Sequence, residues 1–590
     1  MPAVDVNSLF SRAEQAFLAG RLDDARRNIV EVQRIAGDHP AVLHLLALVE
    51  KKRGDLKASR AAFERALVLS PEDPQIANNF ANLLKDIGQE EEALHWYGAA
   101  LATAPGFADA LYNRALLLQR LGRFEDALSE LDKVSGSGPP SAKVHSARGS
   151  VLRELGRLDD AAAAYDAALA LDPRRLTALH GRARTALERG EADSPERYKA
   201  ALELSPGDRT LLLGLAEALE AAGDAKAIEV LESAVENEPQ WAEGQASLAR
   251  MRWEAGEGSA FSRDLQRAIQ AFPANAELWL ACISSLAAAE LTQQAADAAS
   301  DARKALGEDP QLRLLEAVHA SEAGELDRAD RLFGSLPPDL PERATREIQH
   351  RVRQKQYARA LGLADAILAQ DRWNVFGWAM TGLLWRAVGD ERAEWLHAQP
   401  GLAASMELEL PPAEIQQIAE RLRGLHRTRA HPIGQSLRGG TQTRGRLFDR
   451  KEAEILLLRD AIRLAVERYW DSLPPPDPDH PLLRLRDRSP RLEGSWSVRL
   501  TGGGFHVAHI HPEGILSSAC YVAVPAASSP REAWLELGRP PKDLGLELEP
   551  LVQVEPRPGR MALFPSTLYH GTRPFSEGER LTVAFDITAS

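Results

Sequence analysis

Cysteine is nearly absent: the chain of 590 residues has two, Cys282 and Cys520. A disulfide framework is therefore excluded, no cysteine set exists for a structural zinc site, and a reducing, cytoplasmic setting is expected. There is no uninterrupted apolar run of about 18 residues, so no membrane-spanning helix is predicted. The opening stretch MPAVDVNSLFSRAEQ has no basic region leading into an apolar core, and no secretory signal is expected from it. Basic excess is lacking as well. A formal net charge of −14 leaves nothing to neutralise phosphates, so neither nucleic acid nor a membrane surface is an expected partner. Histidine is scarce, at 15 residues, which makes any local crowding of it informative.

What is present is a globular chain, 44% hydrophobic and 26% charged, too long for one ordinary core. Its first two thirds are periodic. Glycines stand at 20, 54, 88, 122, 156 and 190, each 34 residues after the last, and Gly223, Gly256 and Gly324 continue the series with Glu290 in the intervening slot. Each opens a similar phrase: GRLDDA, GQEEEA, GRFEDA, GELDRA. Prolines 71, 105, 139, 173, 206, 239 and 273 form a parallel series. Self-similarity at this period is the mark of a repeat protein. The spacing predicts two amphipathic helices per unit. Glycine allows the tight turn after the first helix, where a positive φ is needed. An alanine five residues on (Ala25, Ala93, Ala127, Ala161, Ala329) lets the second helix approach closely, and proline stops that helix. Later units degenerate: AELTQQAA has no glycine, and RQKQYARAL has Gln or Tyr near the slot.

These phrases resemble the tetratricopeptide repeat family over roughly residues 5–395. The resemblance implies a groove that binds a peptide or protein partner. Asn79 and Asn113, 34 residues apart on first helices, are candidates for a ladder of amides that holds a peptide backbone. The alternative is that both are solvated surface residues, since the ladder stops at Ala147 and Gly181.

The beat is lost after about Gly389. PPAEIQQIAERLRGL and EAEILLLRDAIRLAVERYWDSL read as helices. Beyond Leu492 short runs separated by Gly and Pro (SWSVRL, FHVAHIH, LSSACYVAVP, AWLEL, RMALFP, RLTVAFDI) read as antiparallel β-structure, so helices first and strands afterwards are expected. In FHVAHIH, alternation on a strand places His509 and His511 on one face and sends His506 to the other. Two histidines on one strand face suggest metal ligands, with a third expected from another strand, and His570 is the candidate. On the strand that follows, Arg580, Thr582 and Ala584 share a face. A guanidinium facing a barrel interior needs an anion and fits bidentate capture of a carboxylate.

HIHPEGILSSACYVAVP followed by PGRMALFPSTLYHGTRPFSEGERLTVAFDI is similar to the 2-oxoglutarate- and Fe(II)-dependent oxygenases, and the similarity extends back to SLRGGTQTRGRLF. The resemblance implies Fe(II), 2-oxoglutarate as co-substrate and O2. It assigns His509, His511 and His570 to the metal, and Arg580 with Thr582 to the distal carboxylate of 2-oxoglutarate. Tyr521 is an added hydroxyl for that carboxylate. The family's usual triad is two histidines and one carboxylate; here His511 stands in the carboxylate slot. Glu513 is an alternative ligand just past Pro512, and Asp586, six residues along the Arg580 strand, is a poor one. A plain cupin fits less well, because Ile515 and Leu516 occupy its glutamate position.

The expected architecture is multidomain. An all-α tetratricopeptide superhelical solenoid of ten or eleven helix pairs covers 1–398. An α+β domain with a double-stranded β-helix, a cupin-like jelly roll, covers 399–590. The expected function is a dioxygenase that hydroxylates a peptide or protein side chain recruited by the repeats. The alternative is a non-catalytic repeat scaffold with a degenerate metal-binding domain.

Overall fold

A computed structural model describes residues 5–137, 139–526 and 529–589, which form two compact units, Met1–Ala186 and Leu187–Ser590. Among the described residues, 24 α-helices precede the first strand. They make twelve consecutive pairs, more than the sequence phrases distinguish, because degenerate units keep the geometry without the glycine. The turn residue after each first helix shows why. Gly20, Gly54, Gly88, Gly122, Gly156, Gly190, Gly223, Gly256 and Gly324 have φ of 68 to 90°. Glu290 takes the same left-handed conformation at φ 60°, and in RQKQYARAL the slot belongs to Lys355, at φ 58°, not to Gln or Tyr. Ala25, Ala93, Ala127, Ala161 and Ala329 are all completely buried, as close helix approach requires. Second helices such as Leu56–Leu69 and Glu90–Thr103 end just before Pro71 and Pro105.

Nine strands lie among the described residues of the C-terminal part: β1 Ala404–Glu407, β2 Leu437–Gln442, β3 Pro490–His506, β4 Leu516–Ala523, β5 Leu535–Leu537, β6 Val552–Val554, β7 Arg560–Pro565, β8 His570–Thr572 and β9 Glu579–Ala589. The expected order, helices before strands, is corrected in part. β1 precedes the helix Pro412–Arg423, and β2 falls between that helix and Ala453–Ser472. Both strands are short and unpatterned, and they form only because β7 and β3 offer edges for antiparallel pairing.

The six-stranded sheet runs β1-β7-β4-β9-β3-β2 and the three-stranded sheet β6-β5-β8. Period-two alternation sorts the side chains of the large sheet. Cys520, Met561, Leu563, Leu581, Val583 and Phe585 point to the two helices, packing with Ile418, Leu422, Leu458 and Ile462. Tyr521, Ala562 and Phe564 point the other way and meet Leu535, Leu537 and Val554 of the small sheet. Each fully buried large apolar side chain on the helix side contributes about 1.5–3 kcal/mol. The result is a two-sheet jelly roll, closed on one side by helices and hollow between its sheets. No helix of the described residues is long and apolar enough to cross a membrane.

Candidate metal centre

Three imidazoles converge between the sheets. His509, His511 and His570 each offer one nitrogen, and these atoms lie within 4.8 Å of one another. The expected single strand across FHVAHIH is not what brings them together. β3 ends at His506, the chain bends at Val507 and Ala508, and His509 forms one isolated bridge with His570. In that bridge His509 N–H donates to His570 C=O at 3.0 Å and His570 N–H donates back at 2.9 Å. Residues 61 apart are thereby locked side by side. The bend also overturns the expectation for His506. Alternation stops before it can turn that ring away, so His506 lines the same cavity, its Nδ1 3.1 Å from Ser436 Oγ.

Hydrogen bonding decides which nitrogens are free. His509 Nδ1 lies 2.8 Å from Val507 C=O and His570 Nδ1 lies 3.2 Å from Leu568 C=O. A carbonyl can only accept, so both Nδ1 atoms carry the proton. His511 Nδ1 donates to Asp586 Oδ1 at 2.6 Å. The Nε2 atoms of all three rings turn towards one another: those of His509 and His511 are 3.1 Å apart, and Ser436 Oγ lies 3.1 Å from His509 Nε2. Burial drives the His509 ring down to about 3, and it holds His570 well below its usual range, each assisted by neighbouring histidines. Both rings are neutral at pH 7, as metal ligation requires. A neutral nitrogen donor set with every opposite N–H engaged is the arrangement that divalent transition metals use. The residues present fit Fe(II).

Asp586 is the carboxylate absent from the usual third slot. It is not one of the converging donors, but it grips the histidine that occupies that slot. Its position on the Arg580 face of β9 was the legible clue. Glu513 is exposed at the outer cleft and does not join the three histidines. Ser436 opens the stretch SLRGGTQTRGRLF to which the similarity extends but was given no role there, and the pairing of β2 with β3 brings it to the rings.

The cavity has a volume of about 50 Å³, and Arg580, Thr582 and Ala584 line it from β9, as their alternation predicts. Thr582 is flanked in register by Val498 of β3 and Tyr521 of β4. Arg580 is 2% exposed, and no carboxylate among the described residues pairs with it. Its Nε and the Tyr521 hydroxyl are sealed from solvent without a hydrogen bond of ordinary geometry. The guanidinium carbon sits 5.1 Å from the centre of the tyrosine ring. Burial lowers the Arg580 pKa and raises that of Tyr521. A buried, unpaired guanidinium with a neighbouring hydroxyl suits a bound dicarboxylate.

In the N-terminal unit, Asn79 and Asn113 do not stack on each other. Asn79 Nδ2 lies 2.9 Å from His44 Nε2, and Asn113 donates to Asn78 Oδ1 at 3.2 Å. Each amide links its repeat to the preceding one.

Residues 494–586 match the family model described as "Putative 2OG-Fe(II) oxygenase". Residues 88–151 and 142–175 match two models described as tetratricopeptide repeat. The chain joins tetratricopeptide repeats to a 2OG-Fe(II) oxygenase-type domain. The matched oxygenase-type segment holds all three converging histidines, Tyr521, Arg580, Thr582 and Asp586, while Ser436 lies outside it. No curated protein is significantly similar to the chain. Among solved structures, a tetratricopeptide repeat protein from Parabacteroides merdae is 20% identical, covering 39% of this chain and 91% of its own, with a TM-score of 0.33. YrrB, a tetratricopeptide repeat protein with an unusual peptide-binding site, is 23% identical, covering 31% and 95%, with a TM-score of 0.28. The C-terminal part of a repeat protein from Cytophaga hutchinsonii is 14% identical, covering 46% and 98%, with a TM-score of 0.30.

Proposed function

We propose that this protein is an Fe(II)- and 2-oxoglutarate-dependent dioxygenase that hydroxylates a peptide or protein side chain recruited by its repeats. The observation that carries this reading is the set of three Nε2 atoms freed by engaged Nδ1–H groups, beside an unpaired buried guanidinium. His509, His511 and His570 are the metal ligands. Arg580 and Thr582 hold the distal carboxylate of 2-oxoglutarate, and Tyr521 adds its hydroxyl.

Iron, when bound with 2-oxoglutarate and O2, supplies the oxidising power to hydroxylate an unactivated C–H bond. The protein's own contribution is geometric and electrostatic. The His509–His570 bridge fixes two ligands on one rigid backbone element. Asp586 holds the His511 ring in the tautomer that presents Nε2, and its charge strengthens that nitrogen as a donor. Arg580 offers a fixed two-pronged contact to a carboxylate, which orients the co-substrate in the cavity. The sheets and Phe564 shield the rings from water on the inner side. On the outer side His509 and His511 open to a cleft that Trp496 and Glu513 flank, together with Ala287 and Glu290 of a repeat. That cleft admits the substrate, and binding to the repeats raises its local concentration there.

The test is 2-oxoglutarate turnover. Purified protein loaded with Fe(II) should release succinate, and a protein that co-purifies with it should gain one oxygen atom by mass spectrometry. His570→Ala should abolish both. A chain that binds metal yet turns over no 2-oxoglutarate with any co-purifying protein would favour the binding-only scaffold, for which the histidine in the third slot argues.

A further inference from the structure

Three successive first helices of the repeats, Arg209–Ala222, Ala242–Glu254 and Ala276–Ala288, end on carbonyls that have no partner within the helix. One segment of the oxygenase-type domain fills all three ends. The Arg427 side chain donates to Ala222 C=O. The N–H groups of Arg429 and Ala430 donate to Glu254 C=O at 3.0 and 3.1 Å, and Gly434 N–H donates to Ala288 C=O at 2.9 Å. Gly434 has φ 75°, and a Cβ there would sit 3.4 Å from Ala288 Cβ, so the approach is close.

From Gly434 the path leads to the metal site in two steps. Val507 N–H donates to Ser436 C=O at 2.9 Å, and Val507 C=O accepts the His509 Nδ1–H at 2.8 Å. Ser436 Oγ also lies 3.1 Å from His509 Nε2. The position and tautomer of the His509 ring thus depend on where residues 434–436 are held.

Glu290 is the residue that holds them. It stands in the slot that other repeats fill with glycine, and it adopts a positive φ that glycine tolerates better. Its carboxylate grips Arg438 with two contacts, Nη2 to Oε1 and Nε to Oε2, the latter at 3.2 Å. Arg438 in turn donates to Gln435 C=O at 2.6 Å and Leu437 C=O at 2.7 Å, bracing the backbone around Ser436. Of the two breaks in the glycine series, Glu290 and Lys355, the first falls in the repeat that touches residues 434–438.

We propose that Glu290 and Arg438 are positioning residues for the metal centre: by fixing residues 434–438 they orient His509, so that a repeat forms part of the site. This inference rests on the metal reading of the three histidines, and the experiment separates the two. Full-length wild type, Glu290→Gly, Glu290→Gln, Arg438→Gln and His570→Ala are titrated with Co(II), with absorbance in the visible and thermal melting both recorded. Glu290→Gly should melt at the wild-type temperature or above it, because glycine relieves the turn. Its Co(II) dissociation constant should rise about tenfold, with an altered visible spectrum. Arg438→Gln should behave likewise towards Co(II), and Glu290→Gln, which keeps an acceptor oxygen, should recover most of the loss. Wild-type affinity and spectrum in both Glu290→Gly and Arg438→Gln overturn the inference, as does weaker binding that merely tracks a lower melting temperature in Glu290→Gly. A wild-type chain whose Co(II) binding is indifferent to His570→Ala overturns the metal reading and the inference with it.

Discussion

Asp586 and His511, 75 residues apart in sequence, meet at 2.6 Å, and that contact puts a carboxylate behind the histidine that stands in the family's usual carboxylate slot. Asp586→Asn keeps an acceptor oxygen but removes the charge that makes His511 Nε2 a strong donor. Metal affinity should fall about tenfold to a hundredfold, with little change in global stability. Isothermal titration with Co(II) or Fe(II) under anaerobic conditions reads this directly, and an unchanged affinity would reject the role.

In the proposed function Arg580 serves the co-substrate and not the metal. Arg580→Ala removes the bidentate partner of a carboxylate and should weaken 2-oxoglutarate binding by roughly a hundredfold, about 3 kcal/mol, while leaving the metal bound. Arg580→Lys should restore little, because an ammonium cannot reproduce the planar fork. Equal loss of metal and 2-oxoglutarate would count against this assignment.

The Tyr521 hydroxyl is buried without an ordinary hydrogen bond. Tyr521→Phe therefore removes at most the hydroxyl's weak contact with the Arg580 guanidinium, and the unliganded protein should be about as stable as wild type. If the hydroxyl serves the co-substrate carboxylate, the same variant should bind 2-oxoglutarate about tenfold less tightly, a loss of about 1.4 kcal/mol. Denaturant melts and 2-oxoglutarate binding curves on the one variant check both halves.

Away from the metal centre, His397 ends the helix Arg392–His397 and shares a hydrogen bond with Thr567 at 3.0 Å. Burial, aided by His480 and Arg386, drives its pKa from 6.5 to about 3. Below pH 6.5 the unfolded chain takes up a proton that the folded chain refuses. Folding stability is thus fully present above that pH and is lost as pH falls towards 3. At pH 4 this one group should cost about 2–4 kcal/mol. Denaturant unfolding across pH 4–7 should show a shallower pH slope in His397→Gln than in wild type.

Lys355 occupies a glycine slot at φ 58° with an exposed side chain. Lys355→Gly should stabilise its unit by about 1 kcal/mol, since the left-handed penalty disappears. Glu290→Gly shares the backbone relief but forfeits the Arg438 contact, so it should gain less melting stability than Lys355→Gly and, unlike it, lose metal affinity.

The repeat was legible from spacing except where degenerate units lose the glycine, so ten or eleven pairs were expected and twelve are present. Glycine at a positive φ and alanine at a helix crossing are local requirements, and they recur because the same pair of helices recurs. The inward row Arg580, Thr582 and Ala584 was legible for a similar reason, since β9 is regular and alternation holds along it. His506 was misplaced because alternation was carried through Val507 and Ala508, where the chain leaves the strand. β1 and β2 were missed because their edges exist only once β7 and β3 are in place.

By itself the sequence determined most of the helix pairs, the four inner strands of the large sheet (β7, β4, β9 and β3) and the residue types proposed to ligate metal and bind a carboxylate, because those depend on neighbours a few residues away. Tertiary structure alone decided that His509 and His570 lie side by side, that Asp586 supports His511, and that a repeat reaches the ring of His509 through residues 434–438. Those contacts join segments tens to hundreds of residues apart. Their geometry is set by how two sheets and a row of helix ends pack, and no periodicity in the chain encodes it.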